Sequence, residues 1–337
     1  MKRIAILMFV SLLLLLSGSR RFNLRALGIG ALNPSPAPAA YVRDPNWPGK
    51  LPAGWKYRMV STIAGDSTGR IYVVHRAAHP ILIFNKQGKF LGSLGDNLFK
   101  KSVALNYTKN PPTPISREYW LHGITVDRSN NVWVTDIGRQ IVMKISPQGK
   151  LLMTLGTPDK IGHDEKTFYM PTSVAVAPSG DIYVADGYGN SRIVKFSPQG
   201  KYLMSWGKRG SGPGEFNIPH GIIVDAQGNV YVAERVNNRV QVFDPDGHFL
   251  AQWRWPGYHG ADSILMAREG GALVGFGQGP LRIIHCHLNG KLIQAFGSFR
   301  TFGYPHGMYE DADGSLYIAD PVDGNASRPP RKFVRVR

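Results

Sequence analysis

Cysteine is almost missing from this 337-residue chain. Cys286 stands alone, so no intramolecular disulfide can form, and stability has to come from a packed core or a bound metal. Acidic residues are scarce too: 23 Asp and Glu face 40 Lys and Arg, a formal charge of +17. Such a balance favours anionic partners, for example an acidic membrane surface or a cell-wall polymer. No basic helix, recognition-helix pattern or aromatic RNA-binding signature accompanies the charge, so no nucleic-acid partner is expected. Long apolar runs are also lacking. The run at the N-terminus, from Ile4 to Leu16, falls short of the roughly 17–25 residues a membrane-spanning helix needs.

That run follows Lys2 and Arg3 and is followed by Ser17, Gly18 and Ser19. The layout is that of a secretory leader over residues 1–19, or of an uncleaved anchor, since Arg20 and Arg21 sit at the cleavage point. Both readings export the remainder, so an extracytoplasmic location is expected: secreted, periplasmic, or membrane-associated through the N-terminal segment. Residues 20–54, with "NPSPAPAA" at 33–40, read as a linker and N-terminal extension, and 55–337 as the folded part.

What the chain has in abundance is turn formers. Its 39 Gly and 24 Pro suit a turn-rich all-β protein. Five segments share one rhythm: "KQGKFLGSLG", "PQGKLLMTLG", "PQGKYLMSWG", "PDGHFLAQWR" and "LNGKLIQAFG". Their turn glycines, Gly88, Gly149, Gly200, Gly247 and Gly290, are separated by 61, 51, 47 and 43 residues. Each turn joins two apolar, β-branched runs, and two further strands precede them, as in "SVAVAPSGDIYVAD". A period of that length with four antiparallel strands per unit predicts a six-bladed β-propeller. The units begin at Ser61, His122, Thr172, His220, near Asp262, and at His306. The longest gap contains an insertion, "DNLFKKSVALNYTKNPPTPISRE", expected to lie over one face. The last unit offers three strands, and a segment within 41–58 is the candidate for its fourth.

The stretches "LHGITVDRSNNVWVTD", "PTSVAVAPSGDIYVADGYGNSRIVKF", "FNIPHGIIVDAQGNVYVAERVNNRVQVF" and "YPHGMYEDADGSLYIAD" resemble the NHL-repeat propellers. More narrowly, residues 119–320 resemble peptidyl-α-hydroxyglycine α-amidating lyase, the second enzyme of peptide C-terminal amidation. The resemblance implies a catalytic zinc on three histidines, matched here by His122, His220 and His306. It implies a catalytic tyrosine, which falls on Tyr188, and two substrate arginines, which fall on Arg235 and Arg76. Animal members carry an acidic residue, associated with calcium, directly after the third histidine. Gly307 stands there, so the resemblance does not extend to calcium at that site.

The repeats make the metal set geometrically sensible. The three histidines occupy one register position in units two, four and six, about 120° apart in a six-fold ring. Side chains at the start of each innermost strand face the central channel at equal depth, giving a three-ligand site with open positions, as a catalytic zinc requires. The alternative is a degenerate repeat position that tolerates His, since Ser61 and Thr172 share the register. Aligning "VVHR", "VTDI", "VADG" and "VAER" places Arg76, Ile137, Gly187 and Arg235 together on the same rim, with Tyr188 one residue further. The implied reaction splits a carbinolamide, R-CO-NH-CH(OH)-COO⁻, into an amide and glyoxylate. Zinc would acidify the hydroxyl, a tyrosinate would take its proton, and the arginines would clamp the carboxylate. His285 and His287 share a strand face around Cys286 and read as structural. His75, His79, His163 and His259 read as rim or surface residues, with His75 within reach of the mouth as the alternative.

Two other function classes fit the fold: a non-catalytic propeller that binds a cell-envelope partner, and a metal-dependent hydrolase such as a lactonase. The chain is expected to act as a monomer on a small or peptidyl α-hydroxyglycine-type substrate bearing a carboxylate.

Overall fold

The computed structural model describes residues 40–321 and 328–336. The leader and most of the linker expected from the sequence lie outside the described residues. Six four-stranded antiparallel sheets make up the described chain, together with one two-stranded hairpin. Five sheets are continuous in sequence: blade 1 (60–93), blade 2 (121–155), blade 3 (173–206), blade 4 (219–253) and blade 5 (259–296). The protein is a six-bladed β-propeller with four-stranded blades.

Blade 6 is assembled from both ends of the described chain. Gly307–Glu310, Leu316–Ala319 and Arg331–Val336 supply three strands, and Ala40–Asp44 adds the fourth by pairing antiparallel with Arg331–Val336. Val42 opposes Val334 in that register. The closing strand thus comes from within the stretch read as N-terminal extension.

Strand position within a blade explains the sequence pattern. Second strands such as Ile182–Asp186 and Val230–Glu234 are buried along their whole length, because both faces meet a neighbouring blade. Outer strands such as Leu151–Leu155 expose most of their residues. Between blades the faces interlock: Tyr72, Val74 and Ile81 of blade 1 pack on Val132, Val134 and Ile141 of blade 2. Each such side chain gains about 1.5–3 kcal/mol on full burial.

The turn between first and second strands has its own chemistry. Asp225 accepts backbone hydrogens from Gln227 and Asn229 at 2.9 and 2.8 Å, and its second oxygen accepts the Tyr231 hydroxyl at 2.8 Å. Asp66, Asp127 and Asp311 do the same for Tyr72, Trp133 and Tyr317. An acid six residues before an aromatic is therefore a folding signal in this chain.

The insertion in the 61-residue gap forms the hairpin Ser102–Asn106 with Thr113–Glu118. It carries Ala104 and Leu105 onto Trp120, Ile137 and Met170 at the rim of blades 2 and 3.

Candidate metal centre

His122, His220 and His306 start the inner strands of blades 2, 4 and 6, where they meet at the head of an axial channel of about 260 Å³. All three are buried, and one ligand atom from each lies within 4.8 Å of the others. Their ring centroids are 4.7, 4.8 and 5.0 Å apart.

Each imidazole is oriented by the next blade. Nδ1 of His122 lies 2.7 Å from the Thr172 carbonyl, that of His220 2.7 Å from the Asp262 carbonyl, and that of His306 2.6 Å from the Ser61 carbonyl. A carbonyl can only accept, so Nδ1 carries the hydrogen and Nε2 keeps its lone pair for the axis. The odd blades return the contact. The hydroxyls of Ser61, Thr172 and Ser263 donate to the carbonyls of Leu121, Pro219 and Pro305, each the residue before a histidine. All six blades thus contribute to one hydrogen-bonded ring.

The glycine after each histidine follows from this closeness. A Cβ on Gly123 would meet the Thr172 carbonyl oxygen at 2.4 Å, and one on Gly307 would meet the Thr62 Cα at 2.6 Å. An acidic side chain at 307 would require the backbone of blade 1 to move.

Burial keeps the imidazoles neutral. It pushes His122 down to about 3 and His220 and His306 well below their ordinary value, with the Arg235 charge acting in the same sense on all three. Three neutral nitrogen donors, pre-oriented and convergent, fit a divalent cation of the zinc type. Among the described residues no carboxylate joins this set.

Two side chains cap it. The Tyr188 hydroxyl lies 2.9 Å from His122 Nε2 and 3.1 Å from His220 Nε2. Arg235 reaches His220 Nε2 at 2.8 Å and the Tyr188 hydroxyl at 3.2 Å. The loops that carry them are tied to the strand entries: the Arg235 amide donates to the Ile218 carbonyl at 3.0 Å. Ile218 is held there at φ 58°, a conformation costing a β-branched residue about 1–3 kcal/mol. Arg76 stacks on Trp120 at 4.2 Å, and its charge bears on His122 and His306. Burial pushes Tyr188 up to about 12 while Arg235 pulls it back down. The Arg235 charge alone therefore does not offset the burial of this phenol.

Three residues at the site carried no sequence signal of their role. Asp262 binds Nε of Arg235 through one carboxylate oxygen and accepts the Tyr304 hydroxyl at 2.5 Å through the other. Tyr107, from the insertion, stacks on Tyr188 at 4.4 Å and 22°. The repeats place Asp262 in register, but nothing in the sequence marks its carboxylate as the anchor of a guanidinium on another blade.

His75 is a correction. Read as a rim residue, it is 1 % exposed and clamped between the Arg58 amide and the His79 carbonyl, with burial pushing it down to about 4. Ile71 to Val74 of "RIYVVH" are fully buried, and His75, the last residue of the strand, stays in the core with them. His285 donates to the Gly270 carbonyl at 2.8 Å beside the buried Cys286, well away from the axis.

An axial trihistidine cluster on a six-bladed ring of four-stranded sheets defines the class of protein: a β-propeller with a candidate metal site at the head of its channel. A family model described as a 6-bladed beta-propeller matches residues 163–284. The chain is 31% identical over 330 residues to the rat peptidylglycine alpha-amidating monooxygenase, a match covering 90% of this chain and 33% of that protein. It is 31% identical over 328 residues to peptidyl-alpha-hydroxyglycine alpha-amidating lyase 1 of Drosophila melanogaster, covering 83% of this chain and 58% of the relative. A gluconolactonase structure from Xanthomonas campestris superposes with a TM-score of 0.60 at 14% identity, over 83% of this chain and 87% of the other, and so shares the fold. The chain is a six-bladed β-propeller similar to NHL-repeat proteins and to the amidating-lyase propellers. It spans a third of the rat protein's length and somewhat over half of the fly protein's.

Proposed function

We propose that the protein is an exported zinc lyase that splits a peptidyl-α-hydroxyglycine-type carbinolamide into an amide and glyoxylate. One observation carries the reading. The three imidazoles converge beneath a tyrosine hydroxyl that contacts His122 and His220 and a guanidinium that contacts His220, so acid–base, anion-binding and metal-ligating groups share one small volume.

His122, His220 and His306 would hold the ion, which would polarise the substrate hydroxyl and stabilise its alkoxide. The chain's own groups do the rest. Arg235, fixed by Asp262, offers its Nη atoms to the substrate carboxylate, and Arg76 adds a second positive charge at the mouth. Tyr188, as the tyrosinate that a bound cation would favour, takes the hydroxyl proton at Oη as the C–N bond breaks, and the bonding pair leaves with nitrogen. Returning that proton to nitrogen completes the amide, so the reaction needs no water and no redox partner. The lyase name of the fly relative supports the assignment. A lactonase-type site calls for carboxylates at the metal, whereas the nearest one, Asp262, is committed to Arg235 and Tyr304. Export rests on the N-terminal leader pattern, which would place the enzyme outside the cytoplasm, free or tethered to the membrane.

The test is glyoxylate release from N-acetyl-α-hydroxyglycine by purified, zinc-loaded protein, with metal content measured alongside. Zinc-loaded protein that releases no glyoxylate would refute the lyase reading.

A further inference from the structure

Every blade that is continuous in sequence breaks its own register at the same place. Where the outermost strand leaves its turn, pairing with the third strand skips one residue: Leu91, Leu152, Leu203, Leu250 and Ile293. Such a β-bulge leaves its extra residue unpaired and re-aims the side chain. All five are apolar and exposed, Leu250 by 53 %. An edge guarded against association carries charge or proline, so five exposed apolar side chains mark a surface with a partner.

Two residues before each bulge stands an exposed basic residue: Lys89, Lys150, Lys201, His248 and Lys291. The four lysines form no ion pair among the described residues. The exposed acids of this end are already matched: Asp246 pairs with Lys195, Glu269 with Arg335, and Asp313 with Lys86. This is the end of the ring away from the histidines. Inner strands such as Leu121–Val126 start at the histidine rim and run to the turns. Arg70, just after one such turn, pairs with Asn85, just before the lysine-bearing one. Adjacent strands twist by about 20–25°, so the outermost strand lies about 60–75° from the innermost and runs nearly across the axis. Two residues of it advance about 7 Å along the strand but only about 2–3 Å along the axis. Lysines and bulge residues therefore stand at nearly one level around the circumference.

We infer that this turn face docks on an anionic lipid bilayer, with the lysines against lipid phosphates and the bulged side chains in the headgroup layer. Three observations select that occupant. One apolar residue in each of five sectors matches a flat, extended surface, whereas a globular partner would cover one sector. Lysines without ion pairs complement anionic lipid. The chain also enters the propeller at this end: Ala40 pairs with Val336, which lies beyond the Leu316–Phe333 pair beside the turn at 311–315. The apolar run Ile4–Leu16 and the arginines after it precede that point in sequence. Docked this way, the protein turns its histidine rim toward solvent. The inference is independent of the reaction at the axis.

The experiment places an environment-sensitive nitrobenzoxadiazole label on the full chain at Leu152→Cys or Leu250→Cys, and on the opposite rim at Lys208→Cys. All three positions are exposed and Cys286 is buried, so each variant takes one label. Vesicles of phosphatidylcholine with about a third phosphatidylglycerol should raise emission about twofold or more at 152 and 250 and leave 208 unchanged. A chain held by its leader alone would leave both faces in water and give no response at 152 or 250. Lys150→Gln, Lys201→Gln and Lys291→Gln together should raise the lipid concentration for half response about a hundredfold, at about fivefold per lysine. Silence at 152 and 250, an equal response at 208, or an equal response to pure phosphatidylcholine overturns the inference. So does a response that survives the triple variant at unchanged lipid concentration. Emission at 152 or 250 that rises with protein concentration alone would give the surface to a second copy, and overturns it as well.

Discussion

His306 and Ser61, 245 positions apart, meet across the seam of the ring: Nδ1 of the histidine donates to the serine carbonyl at 2.6 Å. The same bond joins His122 to Thr172 and His220 to Asp262. Ligand orientation is therefore written into the contact between successive blades, and each of the following expectations probes a part of that arrangement.

Replacing His220 by Ala removes one candidate ligand and leaves the Asp262 carbonyl without its donor. Metal content, read by elemental analysis, should fall far below one equivalent, and glyoxylate release should drop about a thousandfold or more. The lost buried hydrogen bond should cost about 1–3 kcal/mol. A His220→Ala protein that keeps both metal and activity would remove the axial site from the mechanism.

Asp262→Asn separates two roles of one residue. The backbone carbonyl still orients His220, so metal content should be unchanged, but Arg235 loses the charge that fixes its guanidinium. KM for a carboxylate-bearing substrate should rise about 10- to 100-fold, the range seen for outer-shell partners. Tyr304→Phe should give a smaller shift in the same direction.

Tyr107→Ala deletes the stack on Tyr188 without touching any axial nitrogen. Such a pair is worth about 0.5–1.5 kcal/mol, so kcat should fall about two- to tenfold with metal content unaltered. An effect on metal content instead would place the insertion in the metal site's framework.

Asp136 predicts a pH dependence of stability. It is almost fully buried, one of its carboxylate oxygens has no hydrogen-bond partner, and burial pushes it up to about 6 from an ordinary value of 3.8. Between those values the folded protein keeps a proton that the unfolded chain has released, so stability should fall as pH rises from about 4 to 6. The full penalty, up to about 3 kcal/mol, should persist above that window. The difference in unfolding free energy between Asp136→Asn and wild type should follow this curve, favouring the variant at pH 7. A pH-independent difference would show that Asp136 titrates as an ordinary carboxylate.

Much of the fold was legible because repeats announce themselves. The turn glycines and the acid–aromatic pairs such as Asp225 and Tyr231 recur with the blade. The register of the three histidines could be read for the same reason. Contacts between blades were less accessible. Asp262 anchors Arg235 from another blade, and Tyr107 reaches Tyr188 from an insertion that follows no repeat. His75 shows the remaining gap: the last residue of a buried strand keeps its polar ring in the core, and the backbone groups of Arg58 and His79 satisfy it.

Blade 6 joins Ala40–Asp44 to Arg331–Val336, and the trihistidine site draws a ligand or an orienting carbonyl from every sector. Slippage at that zipper would tilt His306 away from Ser61 and spoil the coordination sphere at the far side of the sheet. The bound ion would then serve as an internal gauge of assembly, held tightly by intact rings and surrendered first by those whose latch has sprung.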